Sequence, residues 1–210
     1  MIKPTIYYLH LLKSTRLKLL VMLDVLQEHI IKRLGKIPER FEEVAKAFEP
    51  LSLKRGTYLL REGEVCKYVY FIVEGCLQVF VIDKNGSEST REFYTEEQWV
   101  TDIFGFKKQQ PSEEYIKCVE PCKLLRIHYD AFQHFSAEVP AFAQIYQQIL
   151  ELSYSNTVYR VNTLTSLDAL DRIKWLMENK PKLMTRLSSK LIASYLGISP
   201  ETMTRLKGKL

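Results

Sequence analysis

The strongest constraint on this chain is a change of hydrophobic period. From Leu51 onward the apolar residues alternate, and Val, Ile, Tyr and Phe crowd the stretches "TYLLREGE", "YVYFIVEGCLQVFVID", "STREFYT" and "YIKCVEPCKLLRIH". Gly56, Glu62-Gly63, Glu74-Gly75 and the pair Asn85-Gly86 punctuate them. Period two with tight glycine turns predicts about eight short antiparallel strands. So many short strands close on themselves as a jelly roll or small barrel. On either side, over residues 22–49 and after Asp130, apolar residues recur at three and four, the helical period.

The second helical region is long. "VPAFAQIYQQILELSYSNTVYRVNTL" places Phe142, Ile145, Ile149, Leu152, Asn156, Tyr159 and Thr163 at alternating steps of three and four, a heptad seam. A small barrel cannot cover such a helix, so a two-fold partner helix is expected, with Asn156 fixing register by pairing with its twin. The alternative is one helix packed along its own barrel. "TSLD", residues 165–168, then reads as a hinge with a helix N-cap, and "SLDALDRIKWLMENKP" as a helix ended by Pro181.

Charge divides the chain at the same place. Residues 1–171 hold 21 Lys/Arg against 23 Asp/Glu, whereas residues 172–210 hold nine against two. A basic terminal segment on a near-neutral body implies either a solvated lysine-rich tail or an anionic polymer as partner. The residues inside that segment favour the polymer. Ser188 is placed to cap a helix through Leu196, with Gly197 in the positive φ that ends it. Ser199 caps a second helix with Pro200 at its first position, where no amide hydrogen is needed. Ala193 sits where the two helices cross, and Ile192, Leu196, Ile198, Met203 and Leu206 supply apolar faces. This is the helix-turn-helix pattern. On its second helix Glu201 and Arg205 share one face. A carboxylate accepts from cytosine N4 and a guanidinium forks onto guanine O6 and N7; the bland reading of the same pair is a surface salt bridge.

Other chemistries are poorly supplied. Cys66, Cys76, Cys118 and Cys122 have no paired C-x-x-C spacing and read as buried thiols of a reducing cytosol. Cys118 and Cys122, flanking Glu120-Pro121, could approach as a redox pair, but structural thiols are the simpler reading. The N-terminal "MIKPTIYYLHLLKSTRLKLLVML" is apolar and basic, yet Lys13, Arg16 and Lys18 break its apolar runs too often for a membrane span, and no cleavage site follows. Residues 1–21 are therefore expected to be an extension, with Met22 as a candidate translation start. His128 is the one histidine within the strand region, too few for a cupin-type metal cluster, and neither a nucleophile elbow nor a phosphate-cradling loop occurs. No enzyme activity and no metal are expected.

A neutral β-roll, a seam helix and a terminal helix-turn-helix, in that order, resemble the Crp/Fnr family of transcription regulators over nearly the whole chain from residue 22. The carrying residues are Gly63 in "LLREGEVCKYVYFIVEG", Gly75, Gly86 in "DKNG" and the tail "LGISPETMTRLK". The resemblance implies an α+β fold: a double-stranded β-helix (jelly-roll-like) sensor over 22–135, a dimerisation helix over 136–164 and a winged-helix-like helix-turn-helix domain over 165–210. It also implies a cytoplasmic homodimer that reads an inverted repeat of double-stranded DNA and touches RNA polymerase but no membrane. Glu201, Thr204 and Arg205 match the family's base-reading positions. Phosphate contacts are expected from Ser199, Thr202, Lys190, Lys207 and Lys209, since the sequence leaves no room for a β-wing after the second helix. Iron–sulfur sensing of the family's oxygen-responsive branch is excluded by the lack of cysteine in residues 1–65, and the scattered His29, His128 and His134 do not suit haem.

The sensor departs from the family's phosphate cassette, Gly-Glu followed about a dozen residues later by Arg-Ser/Thr-Ala. Thr101 and Asp102 fall at Gly-Glu, and Ser112, Glu113 and Glu114 at Arg-Ser-Ala. Asp102 can still bind a ribose hydroxyl, but a phosphodiester loses its arginine and meets carboxylates. The expectation is no cofactor, and an effector other than cAMP. The competing function is a β-roll ligand-binding or protein-interaction module that never touches DNA.

Overall fold

The computed structural model describes residues 4–208. A helix α1 (Pro4–Leu34) leads into a short α2 (Phe41–Ala45) and then the strands β1 (Phe48–Leu53), β2 (Tyr58–Leu60), β3 (Tyr68–Glu74), β4 (Leu77–Ile82), β5 (Glu88–Tyr94) and β6 (Trp99–Val100). A one-turn-and-a-half helix α3 (Ile103–Lys108) interrupts them before β7 (Tyr115–Cys118) and β8 (Cys122–His128). The strands form two four-stranded antiparallel sheets, ordered β1-β8-β3-β6 and β2-β7-β4-β5. Apart from the β4–β5 hairpin, sequence neighbours are split between the sheets, which is how a jelly roll closes. Val69 and Phe71 of β3, opposite Ile127 and Leu125 of β8, are buried on one face, and Tyr70 and Ile72 are buried on the other. The β4–β5 connection closes on Asp83, whose Oδ1 accepts from the amides of Asn85 and Ser87 while Gly86 takes φ 77°.

The N-terminal helix differs from the sequence expectation. It runs without a break through Met22 and stops at Leu34, where Gly35 adopts φ 74°, so residues 22–49 are not one helix. Only five residues after Pro38 return to helix, and Phe48 already pairs with Ile127. Met22, Leu26 and Ile30, four apart, lay one face of α1 into the β-roll core.

Beyond the roll come α4 (Tyr129–Glu138) and the 27-residue α5 (Pro140–Ser166). Then α6 (Ala169–Asn179), α7 (Pro181–Arg186), α8 (Ser189–Leu196) and α9 (Pro200–Lys207) form an all-helical unit. Their caps follow the sequence: Asp168 accepts from the Leu170 and Asp171 amides, Ser188 from Leu191, and Ser199 from Thr202. Pro181 does more than end α6; it opens α7. Gly197 sits at φ 64°, and the Ile198 amide donates back to Ala193 O. Ile173, Leu176, Leu183, Ile192, Ala193, Tyr195, Leu196 and Met203 make a second core, which Cys76, Phe93 and Val119 of the roll join.

Candidate DNA-reading helix and sensor pocket

Helix α9 is held by its inner face. Met203 and Leu206 are buried, while Glu201, Thr204, Arg205 and Lys207 are exposed. The ion pairs made by the described residues of this helical unit are Lys174–Asp171, Lys180–Glu92, Arg186–Glu96 and Arg186–Glu120. Glu201 and Arg205, one turn apart, are thus not paired with each other. The Glu201 carboxyl is pushed down by hydrogen bonds from its own amide and from Ser199, as suits an acid in a helix's first turn. The Thr204 hydroxyl donates to Pro200 O at 3.0 Å, so it faces outward with lone pairs and a methyl group. Ser199 and Thr202 are joined hydroxyl to hydroxyl at 3.2 Å at the helix N-terminus. Lys190 is exposed on α8. Lys209 lies outside the described residues.

The sensor positions lie around α3, and their polar groups are bound by other parts of the chain. Thr101 donates to Tyr68 O at 3.0 Å. Asp102, buried, accepts from the Gly105 amide at 3.0 Å and caps α3. The buried Ser112 Oγ accepts from the Glu114 amide and donates to its carbonyl. Glu113 points to solvent, so the two-carboxylate pocket expected from the sequence reduces to Glu114 facing Asp102. Burial pushes the Glu114 carboxyl up; Arg91 opposes that and Asp102 adds to it. Arg91 of β5 is the residue that sequence reasoning missed: its guanidinium is paired with Glu114. No sequence signal pointed to it, because β5 and the start of β7 are neighbours only through β4 in the folded sheet.

The seam splits along α5. Phe142, Ile145 and Ile149 pack on the β-roll core, with Ile145 buried, so this part of the seam is taken by the chain's own roll. Thr163 is also buried. Leu152, Asn156 and Tyr159 remain exposed, Tyr159 at 67 %. A second exposed apolar stripe, Tyr154, Val158 and Val161, runs about 200° around the helix from Leu152. Among the described residues, no helix is long and apolar enough to cross a membrane.

A strand roll joined by one long helix to a capped helix-turn-helix defines a class of two-part architecture, a β-roll body carrying a helical head. Comparison with known proteins carries this further. Residues 50–138 match the family model described as "Cyclic nucleotide-binding domain". The chain is 25 % identical over 158 residues to the cAMP-activated global transcriptional regulator CRP of Pasteurella multocida, covering 70 % of this chain and 76 % of that protein. It is 23 % identical over 203 residues to the Anaerobic regulatory protein of the same organism, covering 88 % and 68 %. The structure of FixK2 from Bradyrhizobium japonicum superposes with a TM-score of 0.68 at 16 % identity, over 78 % of this chain and 84 % of that one. The chain is thus similar to transcription regulators of the Crp/Fnr family.

Proposed function

We propose that this protein is a homodimeric, sequence-specific DNA-binding regulator of the cytoplasm that reads an inverted repeat through Glu201 and Arg205. Thr204 adds a contact at the base edges, and Ser199, Thr202, Lys190, Lys207 and Lys209 hold phosphates. The carrying observation is α9 itself. It is a capped helix anchored by Met203 and Leu206, with an acid and a guanidinium exposed on one face and unpaired with each other. A helix presented in this way fits the major groove, and two related by a two-fold axis read half-sites one helical turn apart. The exposed stripe of Leu152, Asn156 and Tyr159 supports the pairing of two chains, with the roll over 22–135, the helix over 136–164 and the head over 165–210 as working units.

Neither cAMP nor cGMP binds this roll with useful affinity. In the site that the family model implies, the guanidinium nearest Glu114 is already paired with that carboxylate, and Asp102 is committed to capping α3. A phosphodiester there would have to break an ion pair and then face the carboxylate it displaced.

Selection of binding sites from random DNA tests the reading role. Wild type should enrich an inverted repeat, and Arg205→Ala should lose preference at one guanine per half-site, roughly 1–3 kcal/mol each. Binding to mixed-sequence DNA should weaken steeply with salt. Equal preference in both proteins removes Arg205 from reading, and no binding at all favours a β-roll module that works without DNA.

A further inference from the structure

The reading head is not free of the β-roll: around the apolar contact of Phe93 with Tyr195 runs a set of ion pairs and hydrogen bonds between them. Arg186, at the end of α7, forks onto both oxygens of Glu96 at 2.8 Å and also pairs with Glu120. Lys180 donates to Glu92 at 2.8 Å and to the Tyr195 hydroxyl at 3.0 Å. Ser194 of α8 donates to Glu88 O and receives the Thr90 amide at 3.0 Å. Burial pushes the Glu96 carboxyl up, but hydrogen bonds from Arg186 and the Gly75 amide outweigh it and hold it at about 2. The Arg186–Glu96 pair is therefore fully charged at neutral pH. Thr90, which accepts from Gln78 within the roll, also bonds the Ser194 hydroxyl at 2.8 Å across the junction.

The cations involved belong to the segment whose positive charge first suggested DNA. Arg172 is turned onto the carbonyls of Leu164, Leu167 and Leu196. Lys180 and Arg186 face three carboxylates of the roll. Lys182, Lys190, Arg205 and Lys207 stay exposed. A guanidinium forked onto a carboxylate cannot neutralise a phosphate at the same time, and Glu92, Glu96 and Glu120 beside the head repel a DNA backbone.

We propose that Arg186 with Glu96 and Glu120, and Lys180 with Glu92, form a releasable latch that holds the head in a low-affinity arrangement. Release hands two cations per chain to DNA phosphates. This rests on α9 being a DNA reader, but the latch can be observed without DNA.

The test uses the full chain and two variants. Glu96→Gln with Glu120→Gln keeps the shape and frees Arg186; Arg186→Gln opens the same junction and removes the cation. Hydrogen exchange at the Thr90 amide, which donates to Ser194, reports closure and should lose protection in both. On mixed-sequence duplex at low salt, the Glu→Gln pair should bind roughly tenfold tighter than wild type, with a log–log salt slope steeper by about 1 per chain for the freed Arg186. Arg186→Gln should loosen without that gain in slope. Unchanged Thr90 protection in both variants overturns the latch. Loosening with unchanged or weaker DNA binding overturns its inhibitory role. If neither wild type nor variants bind DNA while Thr90 protection falls, the regulator reading fails and the latch stands as an intramolecular clamp.

Discussion

The pocket at α3 and the outer face of α9 use the same kinds of side chain and differ in whether those side chains have partners. In the pocket, Asp102 caps α3, Ser112 closes on the backbone of Glu114, and Glu114 holds Arg91. On α9, Glu201 and Arg205 stand exposed on one face and unpaired with each other. Burial forces the first arrangement, because an unpartnered polar group away from water is expensive. Exposure permits the second, because water satisfies those groups until something better arrives. A site whose groups already satisfy one another offers little to a phosphate, whereas a rigid helix with exposed side chains offers them to any surface it meets. Under the proposed function, sensing and reading then use different chemistry within one chain.

The largest effect that separates the two regions should come from acid. His29 of α1 lies in the roll's core, accepting hydrogen bonds from Trp99 at 3.1 Å and Arg33 at 2.9 Å. Burial lowers its pKa to about 4, and the charges of Arg33 and Lys32 push the same way while Glu97 opposes them. The unfolded chain then binds the proton more readily than the folded one between pH 6.5 and 4. The stabilising effect of neutral His29 is complete above pH 6.5 and falls through that window, by about 3 kcal/mol in all. Urea unfolding of wild type against His29→Gln should show this extra pH dependence in wild type alone. Parallel curves would mean that the roll tolerates the charged imidazole.

How much of this contrast could be read beforehand depends on range. Every local signal around α9 gave the right element: Ser188 and Ser199 as caps, Pro200 at the first position, Gly197 in the left-handed region. These are decided within four residues, so periodicity and capping rules reach them. The strand region was legible for the same reason. The helix expected over 22–49 failed in two ways: Gly35 and Pro38 marked its end locally and were passed over, while Phe48 joins β1 by pairing with Ile127, some eighty residues away. Arg91–Glu114 and Arg186–Glu96 were also invisible, since each joins strands or domains that only the closed roll brings together. The basic tail shows the cost of that blindness: two of its cations face the chain's own carboxylates.

A smaller effect probes the reading face. The Thr204 hydroxyl already donates to Pro200 O, so toward DNA it offers an acceptor and a methyl group. Thr204→Val keeps the methyl group and the branching. Folding stability should change by no more than about 0.5 kcal/mol, as for exposed positions in general. Specific DNA affinity should fall only a few-fold, less than for the guanidinium of Arg205. A loss beyond about tenfold, roughly 1.4 kcal/mol, would show that the hydroxyl turns away from Pro200 to donate to a base, and α9 would then rearrange on binding.

The smallest expected effect is the most direct attempt to break the contrast. If the pocket really satisfies itself, cAMP should leave the folded state no more stable than before. A ligand with micromolar affinity, present at a thousandfold excess over its Kd, would add about 4 kcal/mol to unfolding and raise the thermal midpoint by many degrees. At about 1 mM cAMP we expect less than about 0.4 kcal/mol, the value for a Kd no tighter than that concentration. A large shift would mean that Arg91 leaves Glu114 for the phosphate. The ion pair would then be a cover over the site, opened by the ligand, and the supposed difference between pocket and helix would be one of state rather than of construction. Glu114→Gln separates the two cases, because it frees Arg91 without removing it. A pocket that is closed only by that pair should gain cAMP affinity in this variant, and one closed by Asp102 and Ser112 as well should not.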